Sequence, residues 1–166
     1  MKPFRKILVP VDFSSHSDEA VRYAADLSRR YEAAVTLVHV YETIAYALPD
    51  GYILYTDSQL VSMMSEFEKQ LRATKASAQA AGALRVETKM LQGVVSSEIV
   101  SFAKNGAYDL IIMGTHGRTG LKHALLGSVA EKVIRKSPCP VLTVRLAEKQ
   151  SETGSKLQKT REKVSV

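Results

Sequence analysis

Residues 108–136, "YDLIIMGTHGRTGLKHALLGSVAEKVIRK", run from an apolar segment through a glycine loop into a helical pattern. Residues 110–114 are apolar apart from the final glycine, as in a strand covered on both faces. Residues 129–136 repeat apolar side chains at helical spacing, and Ser128 stands before them as a candidate cap. Glycines stand between these segments at 114, 117, 120 and 127, four within fourteen residues. Glycine loses more backbone freedom on folding than any other residue, so this density marks positions that need its conformations or its missing side chain.

Outward from this stretch the same alternation repeats. Residues 6–11, KILVPV, form a near-continuous apolar run, and residues 15–31 follow as an amphipathic helix. That helix carries acids in its first turn and Arg29 and Arg30 in its last, matching the helix dipole. A β-branched run at 34–40 predicts the second strand, and residues 41–57 read as a loop containing Tyr46, Pro49, Gly51, Tyr52 and Tyr55. Thr56 and Gln59 have capping-box spacing, and Leu60, Met63, Phe67, Leu71 and Ala78 continue a stripe toward Gly82. Strands at 85–91 and 140–144 and a helix at 96–105 complete the order β-α-β-α-β-α-β-α-β. Such alternation predicts right-handed βαβ units and a three-layer open sheet of five parallel strands. Ligands of such sheets bind beyond the carboxyl ends of the strands, where Asp12, Val40 and Gly114 would converge.

Composition sets broad limits. The 166 residues suit one ordinary domain, and no apolar run reaches the length of a membrane span. The first residues lack the apolar core and cleavage site of a signal peptide, and Cys139 is the single cysteine. A cytoplasmic protein without membrane partners is the expectation. Net charge is +6, of which residues 148–166 contribute +2 through five Lys/Arg against three Glu. The remaining +4 is an ordinary solvated surface rather than a nucleic-acid footprint. Residues 1–147 read as the domain, and the polar, basic segment 148–166 reads as a disordered tail.

The glycine loop carries the chemistry. The spacing Gly114-x2-Gly117-x9-Gly127-Ser128 arises by chance in well under about 1% of chains at average glycine frequency. Glycines after a strand let backbone N–H groups approach an anion, and the next helix N-terminus adds donors and positive dipole. Ser128 can cap the helix or turn toward a phosphate oxygen, and Arg118 and Lys122 add positive charge. A mobile connection with tight turns is the bland alternative. No G-x-x-x-x-G-K-[ST] and no G-x-G-x-x-G string occurs, so neither common nucleotide fingerprint applies.

The segments ILVPVDFS (7–14), VTLVHV (35–40), YDLIIMGTHGRTG (108–120) and LLGSVAEKVIRKSPCPVLTV (125–144) together resemble the universal stress protein family. The resemblance spans about residues 3–146, and the glycine spacing matches the family's ATP-binding branch at every position. It implies a Rossmann-like sheet of adenine-nucleotide α-hydrolase-like type and a homodimer formed through the last strand, residues 140–144. By position it implies that Pro10, Val11 and Asp12 meet adenine and ribose, and that Val40 flanks the base. Met113 and Gly114 match ribose-side positions, and Gly117, Gly127, Ser128 and Val129 match phosphate-binding positions, with Arg118 beside them. Magnesium or manganese would then accompany ATP mainly through its phosphates, with no dedicated protein metal site. Asp12 fits a ribose-hydroxyl acceptor and equally a turn residue before Ser14 and Ser15, and Val40 is equally a strand-core residue.

Other reactive side chains are weaker signals. Of His16, His39, His116 and His123, only His116 and His123 fall near the proposed phosphates, without a sequence-near acid to orient them. His39 reads as a hydrogen-bonded core residue, Cys139 as a small residue entering the last strand, and Met63 and Met64 as core. Tyr46, Tyr52 and Tyr55 fit either a lid or packing on the second helix. Two functions follow: an ATP-binding regulatory module of a stress response, with an unnamed protein partner, or a slow ATPase or autophosphorylating enzyme. The absence of an evident base favours the regulator, with at most weak ATPase activity.

Overall fold

Five strands line up in the order β5-β2-β1-β6-β7, all parallel, in a computed structural model that describes residues 4–42, 46–48, 51–53, 56–117 and 126–146. The strands are β1 (Lys6–Pro10), β2 (Ala34–Tyr41), β5 (Arg85–Gln92), β6 (Leu110–Gly114) and β7 (Val141–Val144). The helices are α1 (Ser15–Tyr31), α2 (Asp57–Ala80), α3 (Val95–Asn105) and α4 (Ser128–Lys136). Residues expected as one loop instead contain an antiparallel hairpin, β3 (Tyr46–Leu48) with β4 (Gly51–Ile53). Its runs are too short for period-two patterning to register, which is why sequence reading missed it.

Strand alternation assigns the two faces. Ile7, Val9, Val35, Leu37 and Ile112 pack with α1 and α2, while Leu8, Val38, Ile111 and Met113 pack with α3 and α4. Ile7, Leu8, Leu37, Ile99, Ile111 and Ile112 are fully buried, each burial stabilising by roughly 1.5–3 kcal/mol. The near-continuous apolar runs are thus explained by helices on both faces.

Local signals set the helix ends. Ser14 caps α1, its side chain accepting from the Ser17 N–H, and Thr56 with Gln59 forms a complete capping box on α2. Gly82, at φ 100°, takes the chain out of α2 in a conformation that only glycine adopts without strain. The chain runs outward from β1 to β2 and from β6 to β7, so the neighbouring ends of β1 and β6 diverge. This is the switch point at which open α/β sheets form their binding crevice.

Candidate functional site

A cavity of about 680 Å³ opens at that switch point, within the usual range for small-molecule sites. Pro10 reaches it from the end of β1, Val11 and Asp12 from just beyond that end, Val40 from β2, and Met113 and Gly114 from β6. Gly117, Gly127, Ser128 and Val129 line it from the loop and the start of α4. Every residue expected at the site therefore meets in one cleft, except Arg118, which lies outside the described residues. Gly120, Lys122, His123, Tyr55 and the segment 148–166 lie outside them as well.

Asp12 takes the turn position that is one of its two sequence readings. Its Oδ1 accepts from the Ser14 N–H at 3.1 Å and the Ser14 hydroxyl at 2.6 Å, closing the turn into α1. Its Oδ2 lies toward Gly117, where an added Cβ would stand 2.8 Å away. The next residue, Phe13, takes φ 63°, a conformation unusual for a bulky side chain that costs about 1–3 kcal/mol. The ring contacts of Phe13 oppose that cost: its centroid lies 4.5 Å from that of His39.

The glycines serve packing as well as access. A Cβ at Gly114 would come within 2.9 Å of the His16 Cβ, so this glycine lets α1 close on the end of β6. Gly127 donates its N–H to the Thr115 carbonyl at 2.7 Å, and a Cβ there would sit 3.2 Å from that oxygen. These contacts bring Thr115 and Gly127 together beside the cleft. Gly127, not Ser128, is the N-cap of α4, and no side chain caps this end. Ser128 is instead the first helical residue, which leaves the first-turn N–H groups without intrahelical acceptors beside the cavity.

Several lining residues escaped sequence reading. Met63 and Phe67 of α2 are half-buried and line the cleft, so the Met63 position is not core as expected. Val95 and Ile99 of α3 line the other side. His39 is buried as expected, its Nδ1–H donating to the Val11 carbonyl at 2.8 Å. His116 also lines the cleft, with Nδ1 3.0 Å from the Thr115 hydroxyl and its ring centroid 5.5 Å from that of His16. Cys139 lies away from the cleft, and burial pushes its thiol up, opposed by the Ser137 hydrogen bond and aided by the Asp109 charge. No three His, Cys, Asp or Glu side chains cluster as metal ligands among the described residues.

The family model of the universal stress proteins matches residues 3–145. The chain belongs to the universal stress protein family. Universal stress protein MJ0531 of Methanocaldococcus jannaschii is 37% identical over 149 residues, covering 89% of this chain and 85% of its own. Universal stress protein MJ0577 of the same organism is 33% identical over 155 residues, covering 86% and 95%. The solved structure of MJ0577 superposes with a TM-score of 0.77 at 31% identity, covering 89% of this chain and 99% of its own. A universal stress protein solved in complex with cAMP gives a TM-score of 0.67 at 25% identity, covering 88% and 100%. The three-layer parallel fold of this universal stress protein is thus shared with solved relatives. No helix among its described residues is long and apolar enough to cross a membrane.

Proposed function

We propose that this universal stress protein binds ATP in the switch-point cleft and acts as a nucleotide-dependent regulatory module of a stress response. One observation carries the reading: the Gly114–Gly117 turn, Asp12 and the uncapped start of α4 border a single cavity of about 680 Å³. The strand ends offer an order for the parts of such a ligand. Val40 lies one residue before the end of β2, Asp12 follows β1, and Gly114 ends β6, on adjacent strands across the sheet. Strands stand about 4.8 Å apart, so about 10 Å separates the ends of β2 and β6. A base over Val40, a ribose at Asp12 and phosphates at Gly117, Gly127, Ser128 and Val129 fit that sequence, with Pro10, Val11 and Met113 as the floor. Arg118 would add charge at the phosphate end. The cAMP held by a related protein is likewise an adenine nucleotide.

Backbone N–H groups and the α4 dipole supply the anion recognition here. Magnesium or manganese would enter with the phosphates, which bring most of its ligands. The domain proposed for this role is residues 1–147, with 148–166 as an appended tail. Pairing of two copies through β7 is proposed as the assembly: β7 is an edge strand, and its Leu142 is 37% exposed. Slow hydrolysis or autophosphorylation is the second reading, favoured only by the position of His116 in the cleft. Mass spectrometry of small molecules co-purifying with the protein tests the ligand, and single-turnover assays with labelled ATP test hydrolysis. Adenine nucleotide with negligible product supports the regulator, whereas turnover at ordinary enzyme rates supports the enzyme.

A further inference from the structure

The apolar stripe of α2 loses its cover partway along the helix. Leu71 and Ala78 are 3% and 1% exposed, yet Phe67 and Met63, one and two turns before Leu71, are only half-buried. Those two side chains border the cleft from the α1/α2 side, while Val95 and Ile99 border it from the α3 side. The carboxyl end of β2 lies between these two apolar walls. A flat ring entering there would cover Met63, Phe67 and the partly exposed Val95, completing the burial that α2 lacks.

We propose that Met63 and Phe67 form the base-selecting wall of the cleft, favouring a purine over a pyrimidine. This inference rests on the nucleotide reading and deepens it. The larger flat face of a purine covers more apolar surface on both walls, and aromatic and thioether groups both pack well on π-systems. Phe67 is held for this role rather than left to swing. Its ring centroid lies 4.5 Å from that of His39 and 6.3 Å from that of Phe13. Phe13 follows Asp12 directly, so the turn that presents the Asp12 carboxylate to the cleft also buttresses the wall. Phe13 and His39 are positioning residues, and Met63 and Phe67 are the ones that would touch the base.

The test titrates the full chain with ATP, CTP and ribose 5-triphosphate, for the wild type, Phe67→Ala and Met63→Ala. The wild type should prefer ATP over CTP. Base–aromatic stacking predicts that Phe67→Ala weakens ATP binding about tenfold or more. Ribose 5-triphosphate affinity should stay unchanged and the ATP/CTP preference should collapse. Met63→Ala should move the same way by a smaller factor, and it decides the matter if Phe67→Ala does not fold. Equal losses for ATP and ribose 5-triphosphate, or no loss of ATP affinity in either variant, would overturn the proposal. A wild type that binds none of the three ligands is a different failure, because it ends the nucleotide reading itself.

Discussion

At the scale of single residues, Gly117 and Cys139 make opposite cases. A Cβ at Gly117 would meet the Asp12 Oδ2 at 2.8 Å, so Gly117→Val drives a branched side chain against Asp12 at the cleft. Calorimetric titration should show ATP affinity falling at least about tenfold, the scale of about 1.4 kcal/mol, while circular dichroism stays native. Cys139 is held as a thiol, because burial raises its pKa above the ordinary 9.0. Its alkylation by iodoacetamide at pH 7 should be slower than that of free cysteine and should accelerate only at pH values above 9.0. The sign for stability follows: the folded state favours the neutral thiol, so this contribution is full below pH 9.0 and declines as pH rises through the raised value. Tyr108 acts in the same sense above 10.0, through burial first, with the Thr36 hydrogen bond opposing and Glu87 adding to it.

At the scale of elements, most of the architecture was legible in the sequence because each element carries its own punctuation. The Thr56–Gln59 capping box and the Arg29/Arg30 end of α1 appear where the spacing predicts them. Expected strand limits fall within a residue of those observed, and the central strands β1, β2 and β6, buried on both faces, write themselves as apolar runs. The failures have physical causes. The β3–β4 hairpin is held by pairing between three-residue strands, too short to leave a pattern. Ser128 looked like a cap, but the loop closes through the Gly127 N–H on Thr115 and shifts the cap one residue earlier. Met63 and Phe67 share a stripe with buried Leu71, and only the position of α2 relative to the cleft separates wall from core. Packing of α3 on the sheet is testable through Ile99, which is 1% exposed and has Leu8 and Met113 in its cluster. Ile99→Ala should cost about 2–5 kcal/mol in denaturant unfolding, the usual range for a large-to-small change in a packed core.

At the scale of the whole molecule, the sheet order sets where a ligand can go and where a second copy can dock. The divergence at β1 and β6 opens the cleft at the centre of the sheet, while β7 leaves Leu142 37% exposed at an edge. If two copies pair along β7, Leu142→Lys should move the sedimentation mass of the wild-type dimer toward that of one chain without loss of helix content. An unchanged mass would place assembly on another surface. The cleft would remain intact in that variant, because none of its lining residues belongs to β7. Ligand binding and assembly can therefore be measured separately. The most direct measurement for the central claim is calorimetric titration of the full chain with ATP and magnesium, beside the Gly117→Val variant. Saturable binding at a single site per chain, abolished or strongly weakened by Gly117→Val, is the expected result. No binding by the wild type, or equal binding by both proteins, would contradict the assignment of this cleft to ATP.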